Sequence, residues 1–162
     1  MISTGFTAHP STPTAPIVWF APATSDHPVS GAGSDQSPDG APQSIRVLIV
    51  EDEVLVAMDT RAMLEANGYV VVGVAASAEQ ALAIAEKELP DVVLMDIRLD
   101  GVRDGVEAAS EIRQRFDIPS LFVTANADAR MRERAKDLRP IGFLVKPFSE
   151  AMLMRALTAY DR

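Results

Sequence analysis

Five short apolar runs, rich in β-branched residues, recur through the second part of the chain and predict the strands of its fold. They cover residues 45–50, 69–75, 92–95, 120–123 and 142–145. Most are apolar at consecutive positions instead of alternating with polar residues, which is typical of strands buried on both faces of a parallel sheet. The pattern therefore favours a parallel sheet covered by helices on both sides.

Segments with apolar residues at helical spacing follow each predicted strand and predict five helices. We expect them at about 54–67, 77–88, 106–116, 125–138 and 150–160. In the first helix Leu55, Met58, Ala62 and Ala66 share one face, which we expect to be buried. Five strand–helix units in this order predict an α/β fold, a doubly wound parallel sheet with right-handed crossovers.

Polar residues follow four of the predicted strands at the point where each strand ends. Glu51 and Asp52 follow the first strand, Asp96 the third, Thr124 the fourth and Lys146 the fifth. In open α/β sheets the carboxyl ends of the strands carry the chemistry. Three carboxylates at one edge repel each other, and a divalent cation such as Mg²⁺ relieves that repulsion. With an aspartate nucleophile, a hydroxyl and a lysine, these residues predict a site for phosphoryl chemistry.

The order and spacing of these residues resemble the receiver domain of two-component response regulators. The separations are 44 residues from Asp52 to Asp96, 28 from there to Thr124 and 22 from there to Lys146. The resemblance covers residues 44–162. It implies a flavodoxin-like receiver fold in three layers, with five parallel strands in the order 2-1-3-4-5.

The resemblance also implies a metal-dependent phospho-acceptor site. Asp96 would take a phosphoryl group from a phosphohistidine, supplied by a histidine kinase or a histidine phosphotransfer protein. The implied cofactor is Mg²⁺, for which Mn²⁺ could substitute, held by Glu51, Asp52, Asp96 and the backbone carbonyl of Arg98. The only phosphotransfer and dephosphorylation expected are those on the chain's own aspartate, so the chain is expected to be a signalling protein and not an enzyme.

The remaining implied roles concern the switch. Lys146 would pair with the acceptor aspartate and then with the phosphoryl oxygens, and a cis peptide bond to Pro147 would aim it at the site. Thr124 would move to bond the phosphoryl group, and Phe143 would rotate inward as the switch aromatic. A plain core role for Phe143 is the alternative. The surface expected to change is formed by helix 4, strand 5 and helix 5, where the charged residues of 130–136 are either a solvated face or a partner surface.

Residues 1–43 differ in composition from the rest of the chain. They hold most of the chain's eleven prolines, contain no Lys or Arg, and are rich in small polar residues. Such a composition cannot bury enough apolar surface to offset the entropy of ordering. We therefore predict a disordered tail over 1–43 and a receiver domain over 44–162. The apolar run 16–20 either docks on a partner or has no role, and no phosphotransfer role is assigned to His9 and His27.

Composition limits the remaining function classes. The net charge of −8 argues against nucleic-acid binding through a basic patch, and the absence of cysteine excludes thiol chemistry. No apolar run approaches the length of a membrane span and the start makes a poor signal peptide, so we expect a cytoplasmic protein that does not engage a membrane. Because the printed sequence ends after the fifth predicted helix, we expect a stand-alone receiver, a monomer or a weak phosphorylation-dependent dimer.

Other functions on the same fold require residues that this chain lacks. A flavodoxin-like binder needs a phosphate-cradling loop after the first strand, where this chain has three acids. A Mg²⁺-dependent aspartyl-phosphate hydrolase needs a second aspartate two residues after Asp96, where Arg98 stands. Within the receiver class, a phosphoryl sink or shuttle without conformational output and a phosphorylation-independent binding module remain open.

Overall fold

Parallel strands and flanking helices account for most of the residues that the computed structural model describes, which are 19–20, 44–125 and 129–160. For residues 19, 20 and 129–131 this description covers the backbone. The strands are β1 (Trp19–Phe20), β2 (Arg46–Val50), β3 (Val70–Ala75), β4 (Val92–Asp96), β5 (Ser120–Thr124) and β6 (Gly142–Val145). The helices are α1 (Val54–Ala66), α2 (Ala78–Glu88), α3 (Gly105–Phe116), α4 (Ala129–Ala135), which continues as a 3₁₀ turn over Lys136–Leu138, and α5 (Glu150–Thr158).

The sheet has the order β1-β6-β5-β4-β2-β3. Strands β2 to β6 pair in parallel, and β1 pairs with β6 in the antiparallel direction. Numbered among themselves, the five parallel strands follow the order 2-1-3-4-5, so the predicted flavodoxin-like topology is confirmed. The order reverses between β2 and β4, and this places the carboxyl ends of those two strands side by side.

Two apolar clusters lie on opposite faces of the sheet, because successive residues of a strand point to opposite sides. One cluster includes Leu48 and Val50 of β2 together with α2 and α3 residues, and the other includes Val47 and Ile49 together with α1 and α5 residues. The parallel strands are therefore buried on both faces and the domain has three layers. Among the described residues, no helix is long and apolar enough to cross a membrane.

Side-chain caps define where several helices begin. Ser77 accepts a hydrogen bond from the amide of Gln80 at the start of α2, and Ser149 accepts one from the amide of Met152 at the start of α5. Asp104 and Glu107 form a full capping box at the start of α3. These caps satisfy amide groups that a helix leaves without partners in its first turn.

The buried face of α1 differs from the predicted one. Leu55 and Met58 are exposed by 79% and 62%, and Ala62 and Ala66 are exposed as well. The buried positions are instead Ala57, Thr60 and Leu64. The helix has apolar residues around much of its circumference, so spacing alone did not identify the face that packs on the sheet. A buried threonine at the centre of that face further weakened the pattern.

The strand β1 lies within the segment for which composition predicted disorder. Trp19 and Phe20 pair with Phe143 and Gly142, so these two residues differ from that prediction. The open edge of β6 offers backbone hydrogen-bonding groups that composition does not report. The rest of 1–43 lies outside the described residues, as do residues 126–128, where the fourth helix was expected to begin.

Candidate functional site

Two acidic residues follow β2 and one ends β4, and the topology brings all three together. Val50 pairs with Met95, so Glu51 and Asp52 lie beside Asp96 at the carboxyl edge of the sheet. One carboxylate oxygen from each of the three acids lies within 4.8 Å of those of the other two. Glu51 and Asp96 are only 6% and 5% exposed, while Asp52 is partly exposed. The result is a compact acidic cluster with one side open to solvent.

Lys146 follows β6 and reaches across the sheet edge into this cluster. Its Nζ atom lies 2.6 Å from an oxygen of Glu51 and 2.6 Å from Oδ2 of Asp96. The Lys146–Pro147 peptide bond is cis, which is the geometry that the sequence analysis expected. The lysine amide also donates to the carbonyl of Thr124 at 2.8 Å, which joins the ends of β5 and β6.

The carboxylate of Asp96 is held through both of its oxygens. Oδ2 accepts from Lys146, and Oδ1 accepts from the backbone amide of Arg98 at 2.9 Å. Charge-assisted hydrogen bonds of this kind fix the orientation of a carboxylate. The Asp96 carboxylate is therefore held in one orientation at the rim of the sheet.

Burial and charge act in opposite directions at this cluster. Burial raises the pKa of Glu51 above its usual value, although its hydrogen bond with Lys146 opposes the change. For Lys146 burial lowers the pKa, but the hydrogen bonds to Asp96 and Glu51 outweigh burial and raise it above the usual value. The lysine is thus held in its charged form between two buried carboxyl groups.

The donor set suits a hard divalent cation. Three carboxylates and one ammonium group leave a formal charge of about −2, which Mg²⁺ balances, and Mg²⁺ prefers carboxylate and water oxygens. The backbone of Arg98 lies at the site, since its amide bonds Asp96. A metal role for its carbonyl stays a prediction. The described residues that could hold the ion directly are Glu51, Asp52 and Asp96.

The two residues assigned to the switch lie close behind the acidic cluster. Thr124 ends β5, is 2% exposed and pairs with Val145. Phe143 lies in β6, is 8% exposed, and stacks on Phe122 with ring centroids 5.4 Å apart. All of the predicted site residues therefore lie at one edge of the sheet or directly beneath it, with the Phe143 ring in a buried position.

A close backbone contact at Asp96 was not predicted from the sequence. A Cβ atom added at Gly105 would lie 1.9 Å from the carbonyl oxygen of Asp96, and the Gly105 amide donates to the carbonyl of Ile97. Only glycine allows the start of α3 to approach the end of β4 this closely. The signal in the sequence is a glycine directly after Asp104, the residue that caps α3. Arg134 of α4 also donates a hydrogen bond to the Asp104 carboxylate at 2.7 Å.

A doubly wound sheet with an acidic pair, an aspartate, a threonine and a lysine at its carboxyl edge defines a receiver-type domain. The family model described as response regulator receiver domain matches residues 47–158. The chain belongs to this family, whose members are signalling domains of two-component systems.

Similar proteins agree with this assignment. The transcriptional regulatory protein PdtaR of Mycobacterium tuberculosis is 43% identical over 112 residues, which cover 69% of this chain and 54% of that protein. The phyllosphere-induced regulator PhyR of Methylorubrum extorquens is 34% identical over 124 residues, covering 76% of this chain and 45% of that protein. The chain thus spans about half the length of these curated relatives.

A solved structure shows the same likeness. The signal receiver domain of a modulated diguanylate cyclase from Desulfovibrio desulfuricans superimposes with a TM-score of 0.67 at 39% identity. The match covers 72% of this chain and 92% of that one.

Proposed function

We propose that this chain is a phospho-accepting receiver in a cytoplasmic phosphorelay, in which Asp96 takes a phosphoryl group from a histidine kinase or a histidine phosphotransfer protein. The observation that carries the proposal is the double ion pair of Lys146, at 2.6 Å from both Asp96 and Glu51, beside an acidic cluster that fits a divalent cation. This set supplies a nucleophile and the positive charge that phosphoryl transfer requires.

The transfer is an exchange of one bond to phosphorus for another. A carboxylate oxygen of Asp96 attacks the phosphorus of the donor phosphohistidine, the O–P bond forms, and the N–P bond breaks as the imidazole leaves. Lys146 neutralises the charge on the phosphoryl oxygens, and the Thr124 hydroxyl donates to one of them. When bound, Mg²⁺ supplies electrostatic stabilisation of the same oxygens, and Glu51, Asp52 and Asp96 would hold it.

The proposed dephosphorylation also takes place on Asp96. Attack of water on the aspartyl phosphate releases inorganic phosphate and restores the carboxylate. The proposed turnover is therefore phosphorylation and dephosphorylation of Asp96, with no separate small-molecule substrate to convert.

The proposed output is a change of the surface formed by α4, β6 and α5. Phosphorylation adds charge and acceptor oxygens at Asp96, and Thr124 moves to bond them. Because Thr124 lies one strand from β6, its motion reaches Phe143 and the flanking helices. A downstream protein that binds one form of this surface better than the other would read the signal.

A phosphoryl sink or shuttle is the second candidate, and one observation favours it. The Phe143 ring is buried and stacked on Phe122, which is the inward position expected of the switch aromatic. If that position is kept in both forms, phosphorylation would change the site without changing the partner surface.

The test of the acceptor uses a small-molecule phosphodonor such as acetyl phosphate with Mg²⁺, followed by intact-mass and peptide mass spectrometry. The wild type should gain one phosphoryl group on the peptide that contains Asp96, and Asp96→Ala should gain none. Asp100→Ala removes an exposed acid of the same loop and should label like the wild type. Equal labelling of Asp96→Ala and wild type would refute the assignment.

A further inference from the structure

The strand β1 occupies the edge of the sheet that β6 would otherwise leave open. It pairs in the antiparallel direction, with Trp19 opposite Phe143 and Phe20 opposite Gly142. An open edge strand presents unpaired amide and carbonyl groups, and an extended segment that adds there satisfies them. The edge of β6 therefore accepts strand addition, and the segment that adds belongs to this chain.

The direction of β1 is compatible with pairing within one molecule. Phe20 lies opposite the first residue of β6, so the chain leaves β1 in the direction of the amino edge of the sheet. Strand β2 begins at the amino edge, four strand positions away, which is about 19 Å at the usual strand spacing. Residues 21–45 connect the two strands, and a chain of that length can reach about 80 Å.

Strand β6, with which β1 pairs, is followed directly by Lys146 of the acidic cluster. Lys146 bonds both Glu51 and Asp96 at 2.6 Å. Phe143, the residue opposite Trp19, lies three positions earlier. A shift of β6 that accommodates a phosphoryl group would therefore act on the pairing at its other side.

Strand β6 links two contacts, the pairing with β1 and the bond from Lys146 to Asp96. Asp96 is in direct contact with Lys146 in the same structure in which β1 pairs with β6. A pairing over two residues offers few hydrogen bonds, so a displacement of β6 that breaks them would shift its equilibrium.

We propose that the β6 edge is a strand-addition surface whose built-in occupant is the segment containing Trp19 and Phe20, and that phosphorylation of Asp96 releases this segment. The release rests on the proposed function, whereas the pairing does not. The freed edge lies between α4 and α5, so the segment competes with any partner that adds an extended apolar strand to the proposed output surface.

The test uses Trp19, which is the only tryptophan of the chain, as an internal probe. Acrylamide quenching and fluorescence anisotropy of the full chain are measured with and without beryllofluoride and Mg²⁺, together with hydrogen exchange of the β6 amides. Phe20→Pro removes a backbone donor and disfavours the strand while keeping the probe. Phe6→Pro makes the same change elsewhere in the amino-terminal segment and is the matched control. Asp96→Ala tests whether release depends on the acceptor.

The proposal expects weak quenching and slow β6 exchange in wild type and Phe6→Pro, and several-fold stronger quenching with faster exchange in Phe20→Pro. Beryllofluoride should move the wild type towards the Phe20→Pro values and leave Asp96→Ala unchanged. Identical values for wild type and Phe20→Pro before beryllofluoride would overturn the strand addition.

The two proposals fail in different ways. An unchanged Trp19 signal while Thr124 and Phe143 amides shift on beryllofluoride would overturn the release but keep the phospho-acceptor. If the Trp19 signal is unchanged, no amide shifts occur and Asp96 gains no phosphoryl group, then the proposed function is wrong and the release is overturned with it. In that case a difference between wild type and Phe20→Pro would still support the pairing.

Discussion

Replacing Lys146 by methionine tests the electrostatic balance of the site. The Lys146 side chain is 20% exposed, and the side chains of Glu51 and Asp96, which it bonds, are 6% and 7% exposed. Methionine keeps much of the volume but removes the charge and both hydrogen bonds. Glu51 and Asp96 then lie buried beside Asp52 with no cation among them.

The expected loss of stability follows from these contacts. Removing one partner of a buried ion pair destabilises a protein by about 3–5 kcal/mol, because the remaining charge stays buried. Since Lys146 is partly exposed to solvent, we expect the lower end, about 3 kcal/mol in metal-free buffer. For a domain of this size that corresponds to a fall in Tm of about 10 °C.

The same substitution should strengthen cation binding, because it removes a positive charge that competes with Mg²⁺. An effect of about 1.4 kcal/mol would tighten the Kd about tenfold. Thermal unfolding in EDTA and a Mg²⁺ titration measure the two effects. Lys136→Met removes an exposed lysine that pairs with Glu133 and should change neither value. A Lys146→Met protein with wild-type Tm in EDTA and wild-type Mg²⁺ affinity would refute the account of the site.

Three further predictions concern the neighbouring residues. Asp52→Asn should weaken Mg²⁺ binding and slow labelling of Asp96 by acetyl phosphate, and equal Mg²⁺ affinity would show that this acid is not a ligand. Burial raises the pKa of Glu51 in the folded state. The carboxyl group of Glu51 therefore binds a proton more tightly in the metal-free folded protein than in the unfolded chain. As a result the folded state gains stability as the pH falls through the raised pKa. Glu51→Gln should therefore raise Tm in EDTA above that pKa and flatten its pH dependence; a lower Tm would mean that the pair with the site lysine outweighs burial. Gly105→Ala should slow labelling of Asp96, because the added Cβ would meet the backbone carbonyl of Asp96. Gly68→Ala strains a turn that has open space around it, so it should lower Tm without slowing the labelling. Equal labelling rates for the two variants would contradict this prediction.

The layout of the site could be predicted because it depends on where strands end. Each residue proposed to take part in the chemistry directly follows or ends an apolar run, and parallel strands align those ends at one edge of the sheet. The strand order was implied by the resemblance to receiver domains, and with that order the position of Asp96 beside Glu51 follows from where the strands end. The reach of Lys146 to both carboxylates does not, since it depends on side-chain conformation.

The failures of prediction have physical causes as well. In α1 apolar residues occur on several faces, and Thr60 packs inward while Leu55 is exposed, so periodicity gave the wrong buried face. The strand at Trp19 depends on an open edge formed by residues far along the chain, which local composition cannot reveal. The close approach of Gly105 to Asp96 is likewise a tertiary contact.

The central claim is that Asp96 accepts a phosphoryl group and that the change reaches the surface of α4, β6 and α5. The most direct measurement is amide NMR of the full chain with beryllofluoride and Mg²⁺. The account predicts shifts at Thr124, at Phe143 and along α4 and α5, all of which Asp96→Ala abolishes. Shifts confined to the loops around Asp96 would contradict the switch and favour a phosphoryl sink or shuttle, and shifts that persist in Asp96→Ala would contradict the acceptor itself.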